Sequence, residues 1–244
     1  MEVNLKFVTC EKRQKVSTFP FQFGIENKPS WFSTIGQQEQ KSIHEKRVNI
    51  KTKLDSRQRN MDLRVCPAFI DLLKTTIVIP CPHDMEIITE GEHISVNIVE
   101  KTQEEVFDIA EQHSPEQFGK GLADSHHIKI DVRWQGVSDK SLDFLMHEPV
   151  WHKTNHYNFI VLPGRINFFT QHGVRINMIV PKTRDKRVIT IEAGDILAYL
   201  TPLENATVNL SNEWVTQEEY YSYNINPFSW TNLYPKVKKF LGVK

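Results

Sequence analysis

The chain has 244 residues, of which 39% are apolar and 25% charged, enough apolar material for a packed core and too much for an intrinsically disordered protein. Lys and Arg total 30 and Asp and Glu total 30, so no net field draws the molecule towards nucleic acid. Three scattered cysteines exclude a disulfide framework or a four-cysteine zinc site. No run approaches the roughly 18 apolar residues of a membrane span, and the opening MEVNLKFVTCEKRQ carries no signal-peptide core. The expectation is a soluble, non-secreted protein of a reducing cytoplasm.

Residues 1–60 read as an extended arm and loop, with VNLKFV able to form a short strand and KVSTFPFQFGIENKPSWF supplying Pro, Gly and aromatic anchors. In RVCPAFIDLLKTTIVIPCPHDMEII, Pro67 suits the first turn of a helix whose stripe is Phe69, Ile70, Leu72 and Leu73. The β-branched run that follows predicts a buried strand ending at Pro80 and Pro82. Residues 85–88 and 93–99 predict a hairpin around Glu90-Gly91. Thr102 and Glu105 form a capping box, and Val106, Ile109 and Ala110 extend it into a helix near 103–112.

From there the period is two. Residues 128–134 and 174–180 alternate strictly, and 157–162, 188–191 and 196–200 complete a train of strands with Gly and Pro between them. The step at 161–166 reads as a type II turn or loop with Arg165 exposed. Helices between successive strands are lacking, which excludes a parallel α/β sheet. The fold expected is mainly β: an antiparallel sandwich, jelly-roll or double-stranded β-helix-like barrel with a few short helices. Its core spans 61–210, and residues 211–244 form a tail ending in a short basic helix packed by Trp230, Leu233, Val237 and Leu241.

The combination NKPSWF (27–32), CPAFID (66–71), IPCPHD (79–84), HSPEQF (113–118) and IEAGDILAYLTPL (191–203) resembles an uncharacterised conserved family of tailed-phage proteins, marine and cyanobacterial ones especially, with some bacterial members. The family's central Pro-Trp and Thr-Pro-x-Gly-Tyr-Ser pattern is present only as Pro149-Val-Trp151 and Leu162-Pro163-Gly164. The resemblance implies a β-rich fold and a phage or bacterial origin, with the cytoplasm of an infected or bacterial cell, or a virion, as the place of action. It implies no activity.

Several clusters invite chemistry. His126, His127, Glu148, His152 and His156 supply imidazoles and a carboxylate of the kind that hold Fe2+ or Zn2+, although no histidine has an acid two residues later, as a facial triad on a β-helix requires. Cys81, His83 and Asp84 resemble a nucleophile, base and orienter, but neighbouring side chains on an extended chain diverge. Cys66, Pro67, Asp71, Pro80, Pro82 and Asp84 are therefore expected to be architectural, Asp84 accepting backbone N–H bonds at the strand end and Asp71 capping a turn. FGKGLADS (118–125) lacks the spacing of a phosphate loop.

Charge is unevenly spread. Residues 41–64 hold eight basic and three acidic side chains, whereas 84–124 hold eleven acidic and two basic. Blocks of opposite sign suit complementary faces, and the terminal aromatics Trp31, Phe32 and Trp230 suit docking arms. The sequence thus favours a non-catalytic protein, without cofactor, that acts through protein–protein contact or self-association, with no membrane and no nucleic acid as partner. The alternative is a metal-dependent enzyme of the non-haem iron or zinc type on a cupin-like β-helix; a ligand-sequestering pocket ranks third.

Overall fold

The computed structural model describes residues 1–11, 18–33, 66–99, 101, 106, 109–114, 124–152 and 159–224. Strands dominate them, arranged in three sheets around one apolar cluster. The largest sheet runs β14 (Thr207–Trp214), β1 (Glu2–Thr9), β7 (Ser125–Ser138), β11 (Gly173–Pro181), β9 (Ile160–Val161), with β6 (Ala110–His113) also paired to β7. The second runs β10 (Gly164–Asn167), β8 (Asp143–His147), β13 (Ile196–Pro202), β3 (Ile77–Pro80), β2 (Gln22–Phe23). The third is β12 (Arg187–Ile191), β4 (Met85–Glu90), β5 (His93–Ile98). The architecture is a β-sandwich; among the described residues no sheet closes into a barrel.

Alternation explains the layering. In β7, Ile128, Ile130, Val132 and Trp134 turn inward, and in β11 Val174, Ile176 and Met178 do the same. Aromatic rings fill the space between sheets: Phe7 stacks on Phe21 with ring centres 4.0 Å apart, Phe21 meets Trp134 edge-on at 5.3 Å, and Phe168 meets Phe7 at 5.3 Å. β7 changes neighbours along its length, pairing with β6 over 127–130 and with β1 over 135–138. Between those stretches Arg133 adopts φ +60 and the register to β11 shifts, a bulge held by an Arg133 N–H donating to Asp131 Oδ1 at 2.8 Å.

Several expectations are corrected. The strand expected over VNLKFV is β1, but it lies interior to the largest sheet instead of in an arm, with Val3, Leu5 and Phe7 fully buried; Phe21 is buried beside them. β1 and β14 run parallel, while every other pairing described is antiparallel. Residues 110–113, expected to end a helix, are strand β6, and the Thr102–Glu105 box lies outside the described residues. The step at 161–166 is a loop between β9 and β10 with Arg165 exposed, as expected, and of the two forms read there the type II turn is the one set aside, since Gly164 opens β10 without positive φ. The tail begins as the second half of β14 and continues into helix α2 (Gln217–Asn224); the expected basic helix with Trp230 lies outside the described residues.

The proline-bracketed segment is a corner. Helix α1 (Pro67–Thr75) starts with Cys66 as N-cap and Pro67 in its first turn, buries Phe69 and Leu73, and gives way to β3. After Pro80 the chain bends out of the second sheet into the third, beside the Glu192–Asp195 turn that brings it back from β12 to β13. The two turns are laced together: Cys81 N–H donates to Asp195 O and Gly194 N–H to Cys81 O, both at 2.7 Å, and Ala193 N–H donates to Asp84 Oδ1 at 2.7 Å. Gly194 sits at φ +98, open to glycine and strained for any other residue. Pro82 is buried in the same corner.

Candidate functional site

The sequence candidates for a metal site are dispersed. His126 and His127 are consecutive on β7 and point to opposite faces. His126 Nε2 meets Gly91 O at 3.1 Å, at the tip of the β4–β5 hairpin, while His127 stacks on its cross-strand neighbour His113 with ring centres 4.6 Å apart. Glu148 Oε2 accepts Val161 N–H at 2.5 Å. His152 Nε2 donates to Asn27 O at 2.6 Å, leaving Nδ1 to accept from Tyr199 OH. Among the described residues no three His, Cys, Asp or Glu side chains gather where an ion would sit, and His156 lies outside them.

The other named residues have structural surroundings too. Asp71 lies within α1, exposed, with its carboxylate 3.7 Å from Lys74 Nζ, and among the described residues it caps no neighbouring turn. Cys81 is buried with Sγ directed at His83 O, whereas Cys66 is half-buried. Trp31 and Phe32, read as a docking arm, pack on their own chain: Trp31 Nε1–H donates to Trp151 O at 2.6 Å, and Phe69 meets Trp151 edge-on at 4.8 Å and Phe32 at 6.2 Å. Together with Tyr199 and His152 this cluster covers the outer side of β13 and β3.

Burial holds the imidazoles of His126, His127, His147 and His152 below the ordinary histidine value of 6.5; for His127 the facing His113 adds to the effect. The unfolded chain therefore binds more protons than the folded one at acid pH. The stability these neutral rings confer is complete above 6.5 and declines as pH falls below it, by up to about 1.4 kcal/mol per pH unit for each ring. Urea midpoints measured between pH 8 and 5 should stay level in the upper part of that range and fall in the lower; a level profile throughout would contradict the burial of these rings.

A concave site forms elsewhere, between the edges of two sheets. β5 ends the third sheet and β6 flanks the largest one, and between them opens a cavity of about 500 Å3 lined by Ile94, Ser95, Val96, Val106, Ala110, Glu111, Gln112 and Ile128. The hairpin register places Thr89 opposite Ile94, Ile87 opposite Val96 and Met85 opposite Ile98, so all six share the inner face. Ile87 and Met85 are fully covered by the core, but Ile94 and Val96 are only half-buried because β6 does not reach β5. The Thr89 hydroxyl, on that same face, is fully buried and has no hydrogen-bond partner among the described residues.

Both walls are held in place. Gly91, φ +58 at the first central position of the two-residue hairpin loop, fits a type II′ turn, and its N–H donates to Thr183 O at 2.6 Å. Lys182 Nζ reaches Glu92 Oε2 at 2.6 Å, and at the hairpin base Val99 N–H donates to Asp84 O. On the other wall Glu111 pairs with Lys129 across β6 and β7. These cations hold the Glu92 and Glu111 carboxyls below the usual carboxylate range. Outside the walls, Glu86 and Glu90 are exposed.

In a hairpin with a two-residue loop the pair flanking the loop is hydrogen-bonded, so Glu90–His93 and every second pair after it bond inward. The N–H and C=O groups of Ile94 and Val96 consequently face outward along the edge of β5 that has no strand beside it among the described residues, above the apolar cavity. Sequence reasoning found the hairpin but not the seam, because the separation of β5 from β6 is set by strands far apart in the chain.

Comparison with known proteins gave no match: no family model, no curated protein and no solved structure. Among the described residues no helix is long and apolar enough to cross a membrane.

Proposed function

We propose that the protein is a non-catalytic, phage-encoded binding protein that recognises an extended segment of a protein partner, a host factor or a virion component, within the bacterial cell or the virion. The observation that carries this reading is the apolar cavity beneath the outer edge of β5, which pairs with no strand among the described residues. A strand laid along that edge bonds to the outward groups of Ile94 and Val96 and drops alternate side chains into the cavity, the usual mode of strand addition. The exposed acids around the seam favour Lys or Arg flanking the apolar positions of the partner. The phage origin rests on the motifs shared with the tailed-phage family.

A metal-dependent enzyme has less support, since His126, His127, Glu148 and His152 each engage a separate partner. A ligand-storing pocket has one observation in its favour: a volume of about 500 Å3 falls within the range of small-molecule sites.

Selection of linear peptides from a displayed random library against the purified protein should converge on alternating apolar sequences with basic flanks. Their binding should fall at least tenfold in Val96→Glu and be unchanged in Asn209→Ala on the remote strand β14. Failure to converge, or affinity indifferent to Val96→Glu in a folded variant, would refute the reading. A small molecule retained by the protein in native mass spectrometry would transfer the seam to the storage alternative.

A further inference from the structure

The two outer strands of the third sheet, β5 and β12, complement each other. Both pair antiparallel with β4, so they run in the same direction, and among the described residues neither has a strand on its other side. Val99 N–H donates to Asp84 O at 2.9 Å, which continues the inward bonding of His93, Ser95 and Asn97 and leaves the backbone groups of Ile94, Val96 and Ile98 facing out. On β4 the same alternation turns Met85, Ile87 and Thr89 towards β12, where they bond Ile191, Ile189 and Arg187. The N–H and C=O groups of Val188 and Thr190 therefore point away from the sheet, and both side chains are exposed, Val188 by 47%.

Charge separates the two edges. Arg187 pairs with Thr89, next to the Glu90–His93 pair that closes the hairpin, so the segment leading into β12 and the β4–β5 turn lie at the same end of the sheet. That segment carries Lys182, Arg184, Lys186 and Arg187 against the single acid Asp185. Among the described residues Arg184, Lys186 and Arg187 have no ion-pair partner. The turn carries Glu90 and Glu92, both exposed; Glu92 is held by Lys182, and Glu90 has no ion-pair partner among the described residues.

We infer that the strand accepted by the seam is β12 of a second copy of this chain, laid parallel along β5. The inference rests on the reading of β5 as a strand-accepting edge and names the strand. Val96 and Ile189 are both level with Ile87, and Ile98 and Ile191 are both level with Met85, all on the inner side of the sheet. A second copy shifted straight across the sheet continues these rows with no change of face or direction. In that register Val188 bonds between Ile94 and Val96, and Thr190 between Val96 and Ile98, giving about four interchain bonds. A slip of two residues either way carries one of them off the end of β5. The same shift brings the cationic segment ahead of β12 against Glu90 and Glu92. The contact is heterologous, since each copy offers one β5 and one β12, and sheet twist about the direction of growth makes the row a helical filament and not a closed dimer.

Sedimentation of the native chain should show species that lengthen with concentration in steps of the 28.5 kDa chain mass. Val188→Pro removes an N–H that β4 does not use, at a position where an edge strand tolerates proline, and should stop growth from β12. Val96→Glu should stop growth from β5. Each variant, folded by circular dichroism, should be monomeric alone, and the two mixed should give dimers that grow no further, because only one compatible β5–β12 pair remains. Lys186→Glu, an exposed change that leaves the backbone alone, should raise the concentration needed for assembly at least tenfold. A native chain that is monomeric at every concentration reached, or a mixture that stays monomeric or grows beyond dimers, would overturn the inference. If selected peptides still bind Val188→Pro while the native chain does not assemble, β5 remains a strand-accepting edge and only the identity of the strand falls; loss of both binding and assembly would remove the two together.

Discussion

Gly136→Ala is expected to lower the unfolding free energy by about 2–3 kcal/mol, the upper part of the range for forced overpacking in a tight core. A Cβ on Gly136 would lie 2.3 Å from Phe168 Cδ1 and 2.6 Å from its Cγ and Cε1. That ring has no room to retreat, because it is fully buried and rests against Phe7 at 5.3 Å and Phe144 at 5.6 Å. The glycine is needed for space and not for its dihedral freedom. Combined with Phe168→Leu, the substitution should cost less than the two changes added separately, a coupling that urea denaturation of the four chains measures directly. Simple additivity would place the ring elsewhere.

Phe7→Ala should cost more, about 3–5 kcal/mol, as expected for a fully buried aromatic whose cavity cannot collapse. Phe7 lies on β1 between β14 and β7 and stacks on Phe21, a residue distant in sequence. Removing its ring strips a face from both Phe21 and Phe168. The experiment also distinguishes a core strand from an arm: an N-terminal arm would tolerate the change within a few tenths of a kcal/mol, as surface positions do. Thermal unfolding of the variant should show a single transition at clearly lower temperature.

Local chemistry made part of this architecture readable from residues alone. Pro67 followed by a short apolar stripe specifies α1, Gly91 between two β-rich runs specifies the β4–β5 hairpin, and the strict alternation of 128–134 and 174–180 specifies β7 and β11. What escaped was decided by distant pairing. Thr207–Trp214 mixes Asn, Ser and Glu with two aliphatics and becomes a strand because β1 lies alongside it, 205 residues earlier. Ala110–His113 continues a helical spacing, yet the ladder with β7 prevails over that weak local preference.

The candidate sites divide in the same way. Histidines crowded in sequence suggested a metal cluster, but a period of two separates His126 from His127, His152 bonds to Asn27 and Tyr199, and Glu148 bonds to Val161. The aromatics of the NKPSWF stretch have a partner within the chain, the Phe69 and Trp151 surface over β13. The seam has no linear signature at all, since Ile94 and Val96 look like ordinary inward residues of a hairpin. Their partial exposure follows from where β6 stops.

The reading of the seam as a strand-accepting groove makes a residue-level demand on backbone exchange. In the free protein the amides of Ile94 and Val96 should exchange quickly with solvent, being outward on an edge with no strand beside it among the described residues, while those of Ser95 and Asn97 are slow. Saturation with a selected peptide should slow Ile94 and Val96 by at least a hundredfold and leave the amides of Leu210 and Asn212 on β14 unchanged. Peptide binding that leaves Ile94 and Val96 as fast as before would contradict strand addition at β5, and with it the functional assignment.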